Sequence, residues 1–430
     1  MIQDKIRLAL KDNPARFCMP GHKGRGVFLD IADDVTELPF SDDLHQPSGC
    51  IADAQKTVAK LFGAKETFFL VGGSTLGIQT MIRSALKKGD KLALTRDCHI
   101  SVINSLVLFG IEPVFIESEF NTKFGVYNAV TPQDIHDVIR EDERIKGVLV
   151  TSPSYYGVCA DVAGIADVVH KANAVLLWDE AHGAHLGFCD DLPKSAVVCG
   201  ADAVVQSAHK TLPAMTQTAL LHNSGLESQK IRDALRILQT SSPSYILMES
   251  LERACLEIDN RRDELPTLIG YCDEIRKRAT DTGRFQPLYS EDKARIILRY
   301  NGEQNLMDQF IEKGVIPELA EYGLIVFITS INNTEEDFQK LSKALVIVAE
   351  EIELGESGNK EPLPPLDMRM TPQEAYEAKT CWVKKNSAEG RVSARVYYKY
   401  PPAIPILCPG AVITQEIVGL IKDDMIQVVK

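Results

Sequence analysis

Residues 174–188 read AVLLWDEAHGAHLGF, and residues 201–212 read ADAVVQSAHKTL. Each stretch contains a short apolar run, Ala174–Trp178 in the first and Ala203–Val205 in the second. Because these runs are continuous and do not alternate with polar residues, they are typical of strands that are buried on both faces in a parallel sheet. The two stretches therefore predict neighbouring parallel strands of an α/β protein.

Polar and ionisable residues follow both runs: Asp179, Glu180 and His182 after the first, and Ser207, His209 and Lys210 after the second. In an open parallel sheet, ligands bind at the carboxyl ends of the strands. A carboxylate and a lysine at such ends are what a pyridoxal phosphate enzyme requires. The lysine amine binds the cofactor covalently, and the carboxylate keeps the ring nitrogen protonated. Taken alone, Lys210 could equally be a surface lysine in a loop.

Other chemistries fit the same residues less well. The letters DEAH at 179–182 match a helicase box, which needs an upstream phosphate loop of the form GxxxxGK[ST], and the chain has none. A metal site could draw on His182, His185, Asp179 and His99, but the HExxH arrangement is absent. A serine hydrolase would need GxSxG around its nucleophile, and Ser207 lacks that setting. We therefore expect lysine chemistry and no metal.

Gly72-Gly73-Ser74-Thr75 separates an apolar strand, Thr67–Val71, from a helix that is predicted to run to about Leu86. A glycine turn at the start of a helix presents free backbone N–H groups and the positive end of the helix dipole to an anion. The two hydroxyls could add further contacts to a phosphate. The same four residues also make a good helix start with no ligand, so both interpretations stay open from this motif alone.

Length and composition restrict the class of protein. With 430 residues, 45% hydrophobic and 25% charged, the chain is long enough for two globular domains. Its net charge of −13 argues against nucleic acid as a partner. The N-terminus carries charges throughout, unlike a signal peptide, and no apolar run reaches the roughly 20 residues of a membrane span. The ten cysteines show no CxxC spacing, which indicates reduced thiols in a cytoplasmic protein.

The order of predicted elements indicates the architecture. A helix is expected from Met1 to about Phe17, broken at Pro14, and strands and helices then alternate from Thr67 onward. This alternation predicts a three-layer α/β/α domain. A helical region follows, and the remaining pattern indicates a smaller α/β unit. We expect an N-terminal arm over 1–45, a large domain over 46–283 and a small C-terminal domain over 284–430.

Several short motifs together resemble the Orn/Lys/Arg decarboxylase family, whose members are pyridoxal phosphate enzymes of the aspartate aminotransferase-like fold. The resemblance is to a short form that lacks a receiver-like N-terminal domain. Each motif is weak alone, but the combination is specific and spans nearly the whole chain. The motifs are Pro20-Gly21-His22-Lys23-Gly24, Gly73-Ser74-Thr75, Cys98-His99, Asp179–Gly183, Ser207–Leu212, Tyr400-Pro401-Pro402 and Pro409-Gly410.

The resemblance implies a role for each matching residue. Lys210 would hold pyridoxal 5'-phosphate covalently, Asp179 would pair with its ring nitrogen, and His99 would stack on the ring. The remaining cofactor contacts would be His182 beside the phenolic oxygen, and Ser74, Thr75, Ser207 and His209 at the phosphate, with Thr240 or Ser241 added from a partner subunit. The resemblance therefore also implies a homodimer or a larger assembly with active sites at the interface.

The implied reaction is decarboxylation of a basic L-amino acid, namely arginine, lysine or ornithine, to the corresponding amine of polyamine metabolism. Arginine is favoured on family grounds only, and Lys210 or His209 would return the proton to the substrate carbon. The alternatives are a different amino acid substrate, amino-group transfer, or a binding protein without activity. Against the last, both Asp179 and Lys210 are retained.

Three positions depart from the family pattern. Ile100 stands where a lysine usually follows the stacking histidine, and Arg395 and Ala411 stand where family members usually have acidic residues. A guanidinium or ammonium group needs anionic partners. The two missing carboxylates therefore weaken the case for a strongly cationic substrate, while the residues predicted for the cofactor are unaffected.

Overall fold

The computed structural model describes residues 2–26, 30–302, 304–353, 355, 360–401 and 403–430, and only the backbone of residues 3, 4 and 31. In chain order the strands are β1 Ala15–Phe17, β2 Glu66–Leu70, β3 Lys91–Thr95, β4 Glu112–Ile116, β5 Phe120–Asn121, β6 Val126–Tyr127, β7 Ile145–Thr151, β8 Val175–Asp179, β9 Ala203–Gln206, β10 Ala219–Asn223, β11 Phe285–Leu288, β12 Arg295–Tyr300, β13 Val315–Pro317, β14 Leu319–Glu321, β15 Leu324–Ile328, β16 Thr380–Lys384, β17 Tyr397–Lys399, β18 Ile404–Leu407 and β19 Met425–Val429.

The α-helices are α1 Ile2–Ala9, α2 Cys50–Phe62, α3 Gly73–Ala85, α4 Ile100–Phe109, α5 Pro132–Glu141, α6 Val162–Lys171, α7 Ala208–Thr211, α8 Ser228–Leu238, α9 Tyr245–Asn260, α10 Leu265–Asp281, α11 Met307–Glu312, α12 Glu335–Glu351, α13 Pro372–Glu377 and α14 Gln415–Leu420. Within the described part of the chain, no helix is long and apolar enough to cross a membrane.

The central sheet has seven strands in the order β2-β10-β9-β8-β7-β3-β4. Strands β9, β8, β7, β3 and β4 are parallel, whereas β10 runs antiparallel to both of its neighbours. The strand adjacency of β8 and β9 agrees with the sequence prediction. Strand β10 was not predicted, and it makes the sheet mixed. The carboxyl ends of β3, β7, β8 and β9 therefore share one edge of the sheet.

Both faces of the central sheet are covered. On β8, Leu177 belongs to the apolar cluster that includes residues of α3 and α4, whereas Leu176 and Trp178 belong to the cluster with residues of α5 and α6. Alternate residues of a strand point to opposite faces, so a strand buried on both sides must be apolar throughout. The predicted three-layer α/β/α fold of the large unit is confirmed.

The second sheet is a smaller, antiparallel one in the order β11-β12-β15-β14. Helices α10 and α12 contribute apolar residues, among them Ile275 and Leu345, to the core that also holds Ile296 and Phe327 of this sheet. The last part of the chain forms two strand pairs, β16 with β19 and β17 with β18. The predicted smaller α/β unit is therefore present, whereas the domain boundaries given above stay predictions.

The predicted N-terminal helix is correct only for its first part. Helix α1 ends at Ala9, and Ala15–Phe17 forms a strand that pairs in parallel with β13. Asn13 has a positive φ of 46°. A residue that precedes proline is disfavoured in the α conformation, so Pro14 prevents the helix from continuing through this point. The arm is thereby tied to the smaller unit. Met1 lies outside the described residues.

Candidate active site

Asp179 and Lys210 come from adjacent parallel strands. Asp179 is the last residue of β8, and Lys210 lies in α7, which follows β9 after the single residue Ser207. In the register of the two strands, Asp179 lies opposite Val205. Because both strands end at the same edge of the sheet, the two side chains border the same cavity.

Asp179 is 2% exposed, and its Oδ1 accepts a hydrogen bond from the backbone N–H of Ala181 over 3.1 Å. Burial raises the pKa of this carboxyl to about 6, although the positive charge of Lys210 acts in the opposite direction. A cationic partner on the open side of such a poorly hydrated carboxylate would stabilise its charged form. Asp179 is therefore suited to a protonated ring nitrogen.

Lys210 points at an imidazole. Its Nζ lies 2.9 Å from Nε2 of His182. Burial lowers the pKa of Lys210 to about 8; Asp179 opposes this shift, and the guanidinium of Arg295 contributes to it. Because the pKa is lowered, a larger fraction of the side chain is the free amine near neutral pH, and the free amine is the nucleophile.

His99 serves as the N-cap of α4. Its Nδ1 accepts from the backbone N–H of Ser101 over 3.2 Å and lies 2.8 Å from the Ser101 hydroxyl. Burial lowers the pKa of His99 to about 4, with a further contribution from Lys210. The imidazole is therefore neutral at physiological pH, and it is fixed at the cavity wall by the cap.

The start of α3 lies at the same cavity. Gly73 has a positive φ of 70°, and its N–H donates to the carbonyl oxygen of Gln217 over 2.8 Å. No described side chain caps the first turn, so the N–H groups that follow Gly73 have no capping partner. Ser74 lines the cavity, whereas Thr75 is exposed and does not. Among the described residues, the buried Ser207 hydroxyl oxygen has no hydrogen-bond partner. The open start of α3 at the cavity wall fits an oxyanion. Ser207 does not line this cavity, although its hydroxyl has no partner in the described part of the chain.

Other predicted phosphate ligands lie outside the cavity wall. His209 binds the carbonyl oxygen of Thr218 through Nδ1 over 2.9 Å, and burial lowers the pKa of its imidazole. Thr240 and Ser241 are exposed in the loop between α8 and α9, where the Thr240 carbonyl lies 2.8 Å from His45 Nε2. The structure therefore brings together Ser74, His99, Asp179, His182 and Lys210, but not Thr75, Ser207, His209, Thr240 or Ser241.

The cavity has a volume of about 470 Å³ and lies between the edge of the central sheet and the smaller unit. Its inner part carries the polar groups described above, and aromatic rings form much of the wall. These rings come from both sides of the cavity: Phe120, Phe124, Tyr127, Tyr155, Tyr156, Tyr300 and Tyr322. The space has the size and the largely apolar character of a small-molecule site.

The sequence did not indicate Arg295, which is the first residue of β12 and is 1% exposed. Its Nη1 donates to the carbonyl oxygen of Tyr155 over 3.3 Å and lies 3.5 Å from His182 Nδ1. Its Nη2 donates to the carbonyl oxygen of His182 over 3.4 Å and lies 3.8 Å from Asp292 Oδ2. Tyr155 and His182 precede Arg295 by more than a hundred positions, and no sequence motif connects them. The contacts of Arg295 with these residues are therefore visible only in the folded structure.

The three departures also have defined places. The N–H of Ile100 donates to the carbonyl oxygen of Ala403 over 3.0 Å at the start of α4. The Arg395 guanidinium lies 4.1 Å from the centre of the Tyr376 ring, and Ala411 is fully buried in the C-terminal apolar cluster. Neither Arg395 nor Ala411 lines the cavity of its own chain. Pro402 of the predicted motif lies outside the described residues.

Comparison with known proteins agrees with this geometry. Residues 8–296 match the family model described as "Orn/Lys/Arg decarboxylase, major domain", and residues 359–422 match "Orn/Lys/Arg decarboxylase, C-terminal domain". The chain belongs to the Orn/Lys/Arg decarboxylase family. The resemblance inferred from the short motifs is confirmed, as is the class of enzyme, an amino acid decarboxylase.

Two curated relatives match this decarboxylase over most of their length. "Arginine decarboxylase" of Bacillus subtilis is 31% identical, covering 95% of this chain and 90% of that protein. "Arginine decarboxylase" of Halalkalibacterium halodurans is 32% identical, and the match covers 96% of this chain and 91% of that protein. Among solved structures, "Lysine decarboxylase A from Pseudomonas aeruginosa" superposes with a TM-score of 0.77 at 17% identity, covering 97% of this chain and 76% of that one. The last comparison supports the fold.

Proposed function

We propose that this decarboxylase uses pyridoxal 5'-phosphate to remove the α-carboxyl group of a basic amino acid, with arginine favoured. The observation that carries the proposal is the pair formed by Asp179 and Lys210, which end adjacent parallel strands at the wall of one cavity. The lysine nitrogen and the carboxylate are the two groups that this cofactor requires from a protein.

The residues of the cavity fit the cofactor. The desolvated Asp179 lines the cavity, where a protonated ring nitrogen would stabilise its charged form. Ser74 lines the cavity in the first turn of α3, and no described side chain caps that turn. A phosphate group would satisfy the donors of this turn. The neutral His99 imidazole at the cavity wall offers a flat surface for the ring.

Each residue then has a defined task. With the cofactor bound, Asp179 would hold the proton of the ring nitrogen, His99 would cover the ring, and His182 would hold a proton toward the phenolic oxygen. The chemistry that the cofactor supplies when bound is an electron sink for the bond that breaks as CO₂ leaves. Lys210 binds the cofactor between turnovers, and its lowered pKa lets it take up and return a proton. His209 is the second candidate for returning the proton to the substrate carbon.

The preference for a basic substrate rests on the curated relatives, which are named arginine decarboxylases and match over about nine-tenths of their length. Beyond Asp179, the described residues that line the cavity include two carboxylates, Asp97 and Glu361. Burial raises the pKa of Asp97. A cationic side chain would stabilise its charged form, so Asp97 is a candidate partner for the guanidinium.

We also propose a homodimer in which the exposed Thr240 and Ser241 reach the phosphate of the partner's site. Their hydroxyl groups are exposed and lie outside the cavity of their own chain. Mixing Lys210→Ala protein with a Thr240→Ala, Ser241→Ala double variant tests this arrangement. If part of the activity is recovered, each active site contains residues of both subunits. If dimers that have exchanged subunits recover no activity, the proposed arrangement is contradicted. A role in polyamine metabolism and a cytoplasmic location stay predictions.

A panel of amino acids tests the reaction. The purified protein, loaded with pyridoxal phosphate, is given arginine, lysine, ornithine, glutamate and alanine, and both CO₂ and keto acid are measured. We expect CO₂ from a basic amino acid, with arginine giving the highest kcat/KM. Keto acid without CO₂ would support the aminotransferase alternative. CO₂ released only from an acidic or neutral amino acid would contradict the proposed substrate class.

A further inference from the structure

His182 lies between two cationic side chains. Lys210 Nζ is 2.9 Å from its Nε2, and Arg295 Nη1 is 3.5 Å from its Nδ1. His182 and Lys210 line the cavity, and Arg295 contacts His182 without lining it. His182 and Arg295 are 7% and 1% exposed. A neutral imidazole has one N–H and one lone pair, so it can accept a hydrogen bond at only one nitrogen.

The imidazole itself is neutral. Burial lowers the pKa of His182 well below its ordinary value, and the charges of Lys210 and Arg295 lower it further. The other titratable groups facing it are His99 and His209, which also lower its pKa, and the Tyr155 ring, which packs edge-on at 5.6 Å. Among the described residues, no carboxylate forms a hydrogen bond or an ion pair with His182, so no direct anionic contact favours an imidazolium.

Of the two cations, only one can change its state. A guanidinium has donors only and keeps its proton in proteins. Arg295 is also held in place, because its two Nη groups have the Tyr155 and His182 carbonyl oxygens and Asp292 as further partners. The lone pair of His182 must therefore lie on Nδ1, toward Arg295, and the proton lies on Nε2, toward the lysine.

We propose that Arg295 is a positioning residue that fixes His182 in the Nε2–H tautomer, so that the imidazole donates to Lys210 and favours the free-amine form of that lysine. The lysine is thus kept nucleophilic by a residue that does not touch it. With the cofactor in place, which rests on the proposed function, the same N–H is available to the phenolic oxygen. Arg295 lies on β12 of the smaller unit, so a residue of that unit determines which ring nitrogen of His182 in the large unit carries the proton.

Nitrogen NMR of histidine tests this inference on the full-length protein, with the cofactor bound and without it. The protein is labelled with ¹⁵N-histidine, and the His182 signals are assigned by their loss in His182→Gln. We expect a single tautomer protonated at Nε2 in both forms. A tautomer protonated at Nδ1, or an imidazolium, would overturn the proposal. Because the cofactor-free form gives its own answer, failure to bind pyridoxal phosphate would count against the proposed function only.

Two variants of Arg295 and a control sharpen the test. Arg295→Lys keeps a cationic donor and should retain the Nε2–H tautomer. Arg295→Gln carries an amide that can also accept, so we expect the Nδ1–H tautomer to become populated. Arg96 is an equally buried arginine that binds backbone carbonyls of Pro405 and Ile406, so Arg96→Gln is the matched control and should leave His182 unchanged. An unchanged His182 spectrum in folded Arg295→Gln would contradict the proposal.

The reactivity of Lys210 gives a second readout. In the cofactor-free protein, the rate at which an amine reagent labels Lys210 is followed against pH by peptide mass spectrometry. We expect the pH at which labelling reaches half of its maximal rate to rise in Arg295→Gln. In Arg295→Lys and Arg96→Gln this pH should stay near the wild-type value. Equal midpoints in all four proteins would contradict the link between Arg295 and the lysine. If Arg295→Gln does not fold, the tautomer of the wild type and of Arg295→Lys still decides the question.

Discussion

The backbone N–H of Gly21 donates to the carbonyl oxygen of His209 over 2.7 Å, directly before Lys210 in the chain. The same N-terminal loop also contacts the smaller unit, where the Lys23 ammonium donates to the carbonyl oxygen of Ile328 over 2.9 Å. A basic, glycine-rich loop of this kind could either bind an anion or simply connect two elements. In the structure Lys23 is buried and binds backbone carbonyls, so the loop joins the lysine segment to the smaller unit.

Gly21→Ala should disturb the segment that carries Lys210. A Cβ atom on Gly21 would lie 2.3 Å from the carbonyl oxygen of Leu212, so one of the two backbone segments must move. We expect a loss of stability of about 1–3 kcal/mol and weaker cofactor binding. Gly270→Ala is the control, because that position in α10 has no atom within 4 Å and should be neutral or stabilising. Thermal unfolding measures the change in stability, and cofactor titration measures the change in affinity. Equal stability and equal affinity in the two variants would contradict the role of the N-terminal loop in holding the Lys210 segment.

Asp179→Asn should separate activity from stability. The uncharged amide cannot hold a proton on the ring nitrogen, so we expect kcat to fall roughly 10²- to 10³-fold. Because the folded pKa of about 6 lies above the ordinary 3.8, the folded state binds more protons in that window, and stability falls as pH rises through it. The cofactor-free variant should therefore be more stable than the wild type above pH 6, by on the order of 3 kcal/mol. Denaturant unfolding at pH 4 and pH 7 checks this, and a variant of lower stability at pH 7 would contradict it.

His99 combines a helix cap with a ring at the cavity wall, and substitutions can separate the two roles. His99→Asn keeps a good N-cap but loses the ring, so stability should change little while cofactor affinity falls by roughly 2- to 10-fold, equivalent to about 0.5–1.5 kcal/mol. His99→Ala loses both and should unfold at lower denaturant concentration, by about 1 kcal/mol. Equilibrium titration with pyridoxal phosphate and urea unfolding distinguish the variants. Wild-type cofactor affinity in His99→Asn would rule out the stacking role.

The lowered pKa of Lys210 has a consequence for stability. The unfolded lysine titrates near 10.5 and the folded one near 8, so the unfolded state binds more protons between these values. The stability of the cofactor-free protein should therefore rise with pH across this window, relative to Lys210→Met, by on the order of 1–3 kcal/mol. The buried Lys23 has a similarly lowered pKa of about 8 and remains in both proteins, so the comparison isolates Lys210. If the free energy of unfolding depends on pH in the same way in both proteins, Lys210 is not desolvated in the folded state.

Much of the large unit could be predicted from the sequence, because its strands are continuous apolar runs and its helices begin with recognisable caps. The strands predicted over Ala174–Trp178 and Ala203–Val205 are present as Val175–Asp179 and Ala203–Gln206. Strand β10 was not predicted, because only the four-residue helix α7 separates it from β9 and the regular alternation of strands and helices is lost there. Strand β19 was not predicted either. Helix α14 ends at Leu420, and Met425–Val429 then pairs with β16, which is far away in the sequence.

The candidate site was predictable only where its residues follow strands. Asp179, His182 and Lys210 share that position, and His99 follows β3 after three residues. Contacts from the smaller unit could not be predicted, because Arg295 and Glu318 reach the site only after the chain has folded back. Glu318 lies 3.2 Å from the Tyr155 hydroxyl, and no local pattern marks it. Arg395 and Ala411, which the sequence singled out, lie outside the cavity of their own chain.

Covalent trapping of the cofactor tests the central claim most directly. The protein is loaded with pyridoxal phosphate, reduced with borohydride, digested, and mapped by mass spectrometry, with Lys23→Met as a control for the other buried lysine. We expect the reduced cofactor on the peptide that contains Lys210, in both the wild type and the control, and no label in Lys210→Ala. A protein that binds no pyridoxal phosphate, or a label on any lysine other than Lys210, would contradict the account.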